Sequence, residues 1–246
     1  MIINEIEIET SCGLMDTFIT RPDENGPFPV VLFLMDAPGK REELHDMASR
    51  FATSGYYVML PNLYYRRTNK FVYEPTPLGR EKMLEQMASL TNDLAVQDCQ
   101  ELIKYADADP YTNKGPVGCV GYCMSGPFAI SAASALPNRV KAAASIHGVN
   151  LLTDKDDSPH KKANQITAEI YFAMAEKDKW ADPTMVKALD KHLKSVGTNF
   201  RIEWYAGTDH GFVFPNRGAL YDKPAAEKHF ERILSLFDRN IKRTTT

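Results

Sequence analysis

The nine residues Gly118-Cys119-Val120-Gly121-Tyr122-Cys123-Met124-Ser125-Gly126 constrain this chain more than any other stretch. The apolar run Pro116 to Val120 reads as a buried strand, and Phe128-Ala129-Ile130-Ser131-Ala132-Ala133 as a helix of small residues. Between them, Gly121-x-Cys123-x-Ser125 has the spacing small, nucleophile, small. A sharp strand-to-helix turn strains its central residue and crowds the positions two away on either side, so those must be small. The turn also lifts the central side chain clear of the sheet at a helix N-terminus, whose positive end favours thiolate over thiol. Two other readings compete. Free cysteine is among the most buried residue types, and Ser125 is a rival nucleophile, although its own flanks would be Cys123 and Pro127 and a proline suits the pattern badly. The strand before and the helix after favour Cys123.

An elbow of this kind needs a sheet to stand on, and the rest of the chain supplies one. Ile2 to Glu9 alternates apolar and charged residues, and Leu14 to Thr20 follows Gly13, which predicts an antiparallel hairpin with one wet face. Pro29 to Met35 is a continuous apolar run, the mark of a strand buried on both sides, and ends at Asp36-Ala37-Pro38-Gly39. Helical spacing over Glu42 to Ser54 stops at Gly55, before a short strand over Tyr56 to Leu60. Asn62 to Pro77 lacks a period but carries Tyr64, Tyr65, Arg66, Arg67, Phe71 and Tyr73, as a binding loop or a solvated one would.

Leu78 to Ala106 reads as one or two helices, with a break near Thr91-Asn92 where Asn92 is placed to cap the second. Strands follow over Val140 to Ile146, Glu169 to Ala175 and Phe200 to Tyr205. Helices follow over Pro183 to Val196, capped by Asp182, and over Lys223 to Ile241. The polar stretch Asp154 to Gln165 reads as solvated. Strands alternating with helices predict a mostly parallel sheet covered on both faces, in one domain over residues 1–246.

Composition narrows the partners. A net charge of −3 over 246 residues argues against nucleic acid as a partner, which calls for a basic face. No apolar run reaches the ~18 residues of a membrane span. The start Met1-Ile2-Ile3-Asn4-Glu5 lacks the basic residues and apolar core of a signal peptide. Four cysteines in a chain of this length do not make a disulfide framework, and no CxxC or histidine cluster has zinc spacing. The expectation is a cytoplasmic protein with no metal, no cofactor and a small-molecule partner.

A thiol nucleophile needs a base, and the base a third group to orient it. On an elbow scaffold they arrive in the order nucleophile, acid, histidine. Asp178 follows the strand ending at Ala175, and His210 follows the strand ending at Tyr205, both at carboxyl ends where open α/β sheets bind ligands. Glu176 and Asp182 compete with Asp178, and Asp209 adjoins His210. His147 ends another strand and reads as either a satisfied structural histidine or a cleft residue. His45, His160, His192 and His229 read as surface residues.

The elbow Gly121-Tyr122-Cys123-Met124-Ser125-Gly126 resembles the Gly-Tyr-Cys-Leu-Gly-Gly of dienelactone hydrolases. Met35-Asp36-Ala37-Pro38-Gly39, Pro61-Asn62-Leu63-Tyr64 and His210-Gly211-Phe212 support the likeness in the same order, over nearly the whole chain. The resemblance implies an α/β-hydrolase fold with three layers, a mostly parallel central sheet and an N-terminal antiparallel hairpin. It implies no cofactor, and a lactone or activated ester as substrate. It maps the catalytic triad onto Cys123, Asp178 and His210, and the oxyanion hole onto the backbone N–H groups of Met124 and Ala37. The family glutamate that accepts a hydrogen bond from the resting thiol falls on Asp36, one methylene shorter.

Substrate contacts fall on Arg80, Tyr64, His147 and Phe214, but the pattern departs from the family here. Leu84 stands where a carboxylate-binding tyrosine is expected, and Phe214 where a second arginine is expected, with Arg217, Arg66 and Arg67 as candidate substitutes. A non-catalytic binding protein on the same scaffold and a thioesterase or acyltransferase are the alternative readings.

Overall fold

A computed structural model describes residues 1–242. Eight strands join one sheet: β1 (Ile2–Thr10), β2 (Gly13–Arg21), β3 (Phe28–Leu34), β4 (Tyr57–Pro61), β5 (Thr112–Tyr122), β6 (Val140–Ile146), β7 (Glu169–Ala175) and β8 (Phe200–Tyr205). Their order across the sheet is β1-β2-β4-β3-β5-β6-β7-β8. β1 and β2 form the expected antiparallel hairpin, and β2 also runs antiparallel to β4. From β4 to β8 every pairing is parallel. The burial follows the sequence logic: β3 is apolar throughout and buried from its second residue, whereas β1 buries only Ile8.

The helices are α1 (Glu42–Thr53), α2 (Pro77–Ala88), α3 (Asn92–Ala108), α4 (Gly126–Ala135), α5 (Pro183–Ser195) and α6 (Lys223–Phe237). α1 and α6 share one face of the sheet, where Phe51 packs on Phe230 and Phe237 with ring centroids 5.2 and 6.1 Å apart. α3 packs against α4 on the other face, and the segment Pro159–Gln165 bridges α4 and α5. The three-layer arrangement expected from the alternation of strands and helices is therefore present. No described helix is long and apolar enough to cross a membrane.

Three local expectations need correction. Thr91, not Asn92, caps α3, its Oγ1 accepting from the Leu94 amide, while the Asn92 amide donates to Asp157. That bond also ties down part of the polar stretch read as solvated, in which Ser158, Pro159 and Ala163 are buried. β5 begins at Thr112, before the Gly115-Pro116 punctuation: Phe28 pairs with Thr112, and the register then shifts before Val30 pairs with Val117. Lys114, at φ 55°, makes the irregularity.

Candidate active site

β5 delivers Cys123 to the carboxyl end of the sheet. The chain turns there through a short 3-10 segment, Cys123–Ser125, and enters α4 at Gly126. Cys123 itself has φ 55°, a left-handed conformation costly for a side chain and held only because the neighbours enforce it. The need for glycine at position 121 is steric: a Cβ there would lie 1.9 Å from the Ser125 carbonyl oxygen. The Cys123 carbonyl accepts from the Val149 amide, which fixes the elbow against the loop after β6. Ser125 is not poised as a nucleophile. Its hydroxyl is fully buried and donates to the Met35 carbonyl, tying the elbow to the end of β3.

His210 arrives on the loop after β8 and Asp178 on the loop after β7. His210 Nδ1–H donates to Asp178 Oδ2 at 2.7 Å, and Asp178 Oδ1 accepts the Trp180 amide at 2.8 Å, so both carboxylate oxygens are engaged. Cys123 lies near enough to His210 to raise its proton affinity. Burial alone would lower the pKa of His210, but the hydrogen bond to Asp178 and the proximity of Cys123 carry it up to about 9. The competing acids have other work: Glu176 accepts the Gly207 amide, and Asp182 caps α5 through the Thr184 amide.

The loop after β3 faces the elbow. The Asp36 carbonyl accepts the Gly39 amide, so in the same trans peptide the Ala37 N–H points the opposite way. Met124 N–H lies in the first turn after the elbow, where no intrahelical acceptor exists. Tyr64, fully buried, donates its hydroxyl to the Ala37 carbonyl at 2.8 Å and lies 3.3 Å from Met124 Sδ. Its place is as a clamp between the two candidate oxyanion donors. It offers no exposed surface to a substrate.

Other expected site residues stand elsewhere. Asp36 does not hold the thiol. It is fully buried, with Arg41 donating to both of its oxygens at 2.5 and 3.3 Å and Arg217 to Oδ2 at 3.2 Å. With the side chain one methylene shorter than glutamate, two guanidiniums consume the carboxylate. Phe214 is buried beneath those guanidiniums, 5.3 and 5.5 Å from its ring centroid. Arg80 is exposed on α2, and its side chain forms no hydrogen bond or ion pair among the described residues. Arg66 is turned away from the site, paired with Asp98.

His147 is fully buried at φ 38°, with its ring centroid 4.6 Å from that of His210 and with neither ring nitrogen hydrogen-bonded among the described residues. It is neither a satisfied structural histidine nor a cleft residue. Burial and the nearby charge of His210 hold its pKa well below the ordinary value, so it packs behind the base as a neutral ring. His229, read as a surface residue, is likewise fully buried, within bonding distance of the Tyr122 hydroxyl at 3.3 Å.

Sequence reasoning missed Arg41. It donates to Asp36, to the Gly39 carbonyl at 3.0 Å and to Glu43 at 2.7 Å, while Glu43 Oε1 accepts the Asn216 amide at 2.7 Å. One guanidinium thus joins the loop after β3, the first turn of α1 and the segment that follows His210. Three charges at positions 36, 41 and 43 around a strand-to-helix junction were the available signal.

Comparison with known proteins gives the family and the fold. The family model described as the dienelactone hydrolase family matches residues 15–241. A Synechocystis protein assigned provisionally to the carboxymethylenebutenolidases is 27% identical over 231 residues, 92% of each chain. The carboxymethylenebutenolidase of Pseudomonas putida is 24% identical over 234 residues, 95% of each chain. Among solved structures, a Klebsiella pneumoniae protein assigned to the dienelactone hydrolases superposes with a TM-score of 0.86 at 22% identity, covering 97% of this chain and 98% of its own. At that identity the likeness establishes the fold, an α/β-hydrolase.

Proposed function

We propose that this chain, which belongs to the dienelactone hydrolase family, is a carboxylic ester hydrolase that opens lactones or activated esters through a cysteine acyl-enzyme. The observation that carries the reading is the arrangement itself: a thiol at a strained elbow, near an imidazole that a buried carboxylate orients from behind. Carboxymethylenebutenolidase relatives supply the substrate class.

The steps follow from the geometry. The thiol proton passes to His210, and Cys123 Sγ bonds to the substrate carbonyl carbon. The carbonyl electrons move onto oxygen, where the Ala37 and Met124 amides receive them; a donor of this kind is worth about 2.7–4 kcal/mol. Collapse breaks the carbon–oxygen bond to the leaving group, which takes the proton from His210. Water then gives its proton to His210 and its hydroxide to the thioester carbonyl. The second collapse releases the acid and the thiolate, which regains its proton from His210.

Thiolate is itself a good leaving group, so the tetrahedral adduct reverts unless the substrate's own leaving group is comparable. Enol lactones, activated esters and thioesters meet that condition, and ordinary amides do not.

Burst kinetics with p-nitrophenyl acetate test the reading. A burst equal to the enzyme concentration is expected in the wild type and in Ser125→Ala, and none in Cys123→Ala. Equal rates in wild type and Cys123→Ala would overturn the cysteine mechanism.

A further inference from the structure

Two imidazoles meet at the carboxyl end of the sheet, and the acyl-transfer steps use one of them. The other, His147, is placed there at the cost of an uncommon backbone. Ser145, two residues earlier on β6, faces α4, where its hydroxyl would clash with a Cβ on Gly126 or Gly148. Strand alternation would send His147 to that same face. Instead the backbone at 147 takes φ 38°, a left-handed value unfavourable for a residue with a side chain. The ring comes out on the face of α6, beside Tyr122, Phe212 and Phe214, with centroids 6.3, 5.9 and 5.5 Å away. The His147 amide donates to the Ala173 carbonyl at 2.8 Å, which pins this turn to β7.

Within that box the ring is fully buried, and neither nitrogen has a hydrogen-bond partner among the described residues. Packing alone therefore locates it, and it acts on its surroundings through shape. Its nearest ring is His210, met edge-to-face at 4.6 Å and 65°. His210 needs such a contact. The Nδ1–H bond to Asp178 at 2.7 Å fixes one atom of the imidazole, and the Trp180 amide fixes Asp178, but one hydrogen bond leaves a ring free to tilt about it.

We propose that His147 is a positioning residue for His210: its ring closes one side of that imidazole and holds the tilt that addresses Cys123 while Nδ1 stays on Asp178. The inference rests on the hydrolase reading above and deepens it. The left-handed backbone at 147 is what brings the ring to this place. Burial keeps His147 neutral, as do the charges of His210, His229 and Arg217 around it, so it lies against an imidazolium without repelling it.

The test compares His147→Phe, which keeps a flat ring, with His147→Leu and His147→Ala, which do not. With p-nitrophenyl acetate, Leu and Ala should lower the burst rate constant and kcat at least about tenfold, as a misplaced catalytic group does. KM should change less than about twofold, since the buried ring does not touch substrate, and Phe should recover most of the loss. Leu fills the site, so it serves where Ala fails to fold. Proton NMR gives a second readout. The downfield His210 Nδ1–H resonance, identified by its loss in His210→Gln, should be sharp in wild type and Phe and broadened by exchange in Leu. Burst rates within about twofold of wild type in Leu, or a Phe variant as slow as Leu, would overturn the proposal. A wild type without a Cys123-dependent burst would sink the hydrolase reading instead, and the His210 resonance would still decide whether His147 holds the ring.

Discussion

Burial works against the proton on His210, but the hydrogen bond to Asp178 and the neighbouring Cys123 raise its pKa to about 9. The folded value lies above the unfolded one of about 6.5. Protonation therefore favours the fold: the contribution is complete below about pH 6.5 and is lost as pH rises through about 9. Asp178→Asn keeps an oxygen to accept the Trp180 amide but removes the charge. The stability gap between wild type and this variant should be widest near pH 6 and close toward pH 9.5, as read by urea unfolding at the two values. A gap independent of pH would mean that the raised proton affinity does not come from Asp178. The same variant should lose about 10²–10⁴-fold in kcat, since the imidazole loses both its orientation and the partner of its charged form.

Individual elements show what patterning can and cannot reveal. The elbow was legible because one spacing answers one steric demand, and Gly121 meets it. The meeting of Asp178 with His210 at the end of the sheet that carries Cys123 was legible because each of the three follows the carboxyl end of a strand readable from its pattern. His229 was misread although a signal existed: Ala226, His229, Phe230 and Ile233 follow helical spacing on the buried stripe of α6. The ionic cluster around Arg41 was only partly legible: Asp36, Arg41 and Glu43 are near in sequence, but Asp36 and Arg217 are 181 positions apart and no periodicity links them. That cluster governs a prediction of its own. Arg41 is the main partner of a fully buried carboxylate, so Arg41→Met should cost about 3–5 kcal/mol in a urea melt. It should also lower kcat more than it raises KM, because the Gly39 carbonyl and the oxyanion loop lose their anchor. Adding Asp36→Asn should recover part of the lost stability, since the stranded charge is then gone; strict additivity of the two changes would show that they do not interact.

Across the whole molecule, the reactive groups and the rings packed around Phe237 sit at different places along the sheet. Cys123, the loop after β3, Asp178 and His210 gather at the carboxyl ends of the parallel strands. The aromatic cluster of α1 and α6 lies further back: Phe237 packs on Phe51 and Tyr56, and a Cβ on Gly118 would lie 2.8 Å from the Phe237 ring. Gly118 is five residues before Cys123 on the same strand, about 16 Å away at the rise of an extended chain. Stability and chemistry should separate over that distance. Phe237→Ala empties a fully buried site and should cost about 3–5 kcal/mol. In conditions where the variant stays folded, its burst amplitude and kcat/KM for p-nitrophenyl acetate should remain within about twofold of wild type, as expected for independent sites. A fall in kcat that tracks the lost stability would instead mean that α6 packing sets the elbow's geometry through β5. The rigid sheet would then transmit core strain to the thiol.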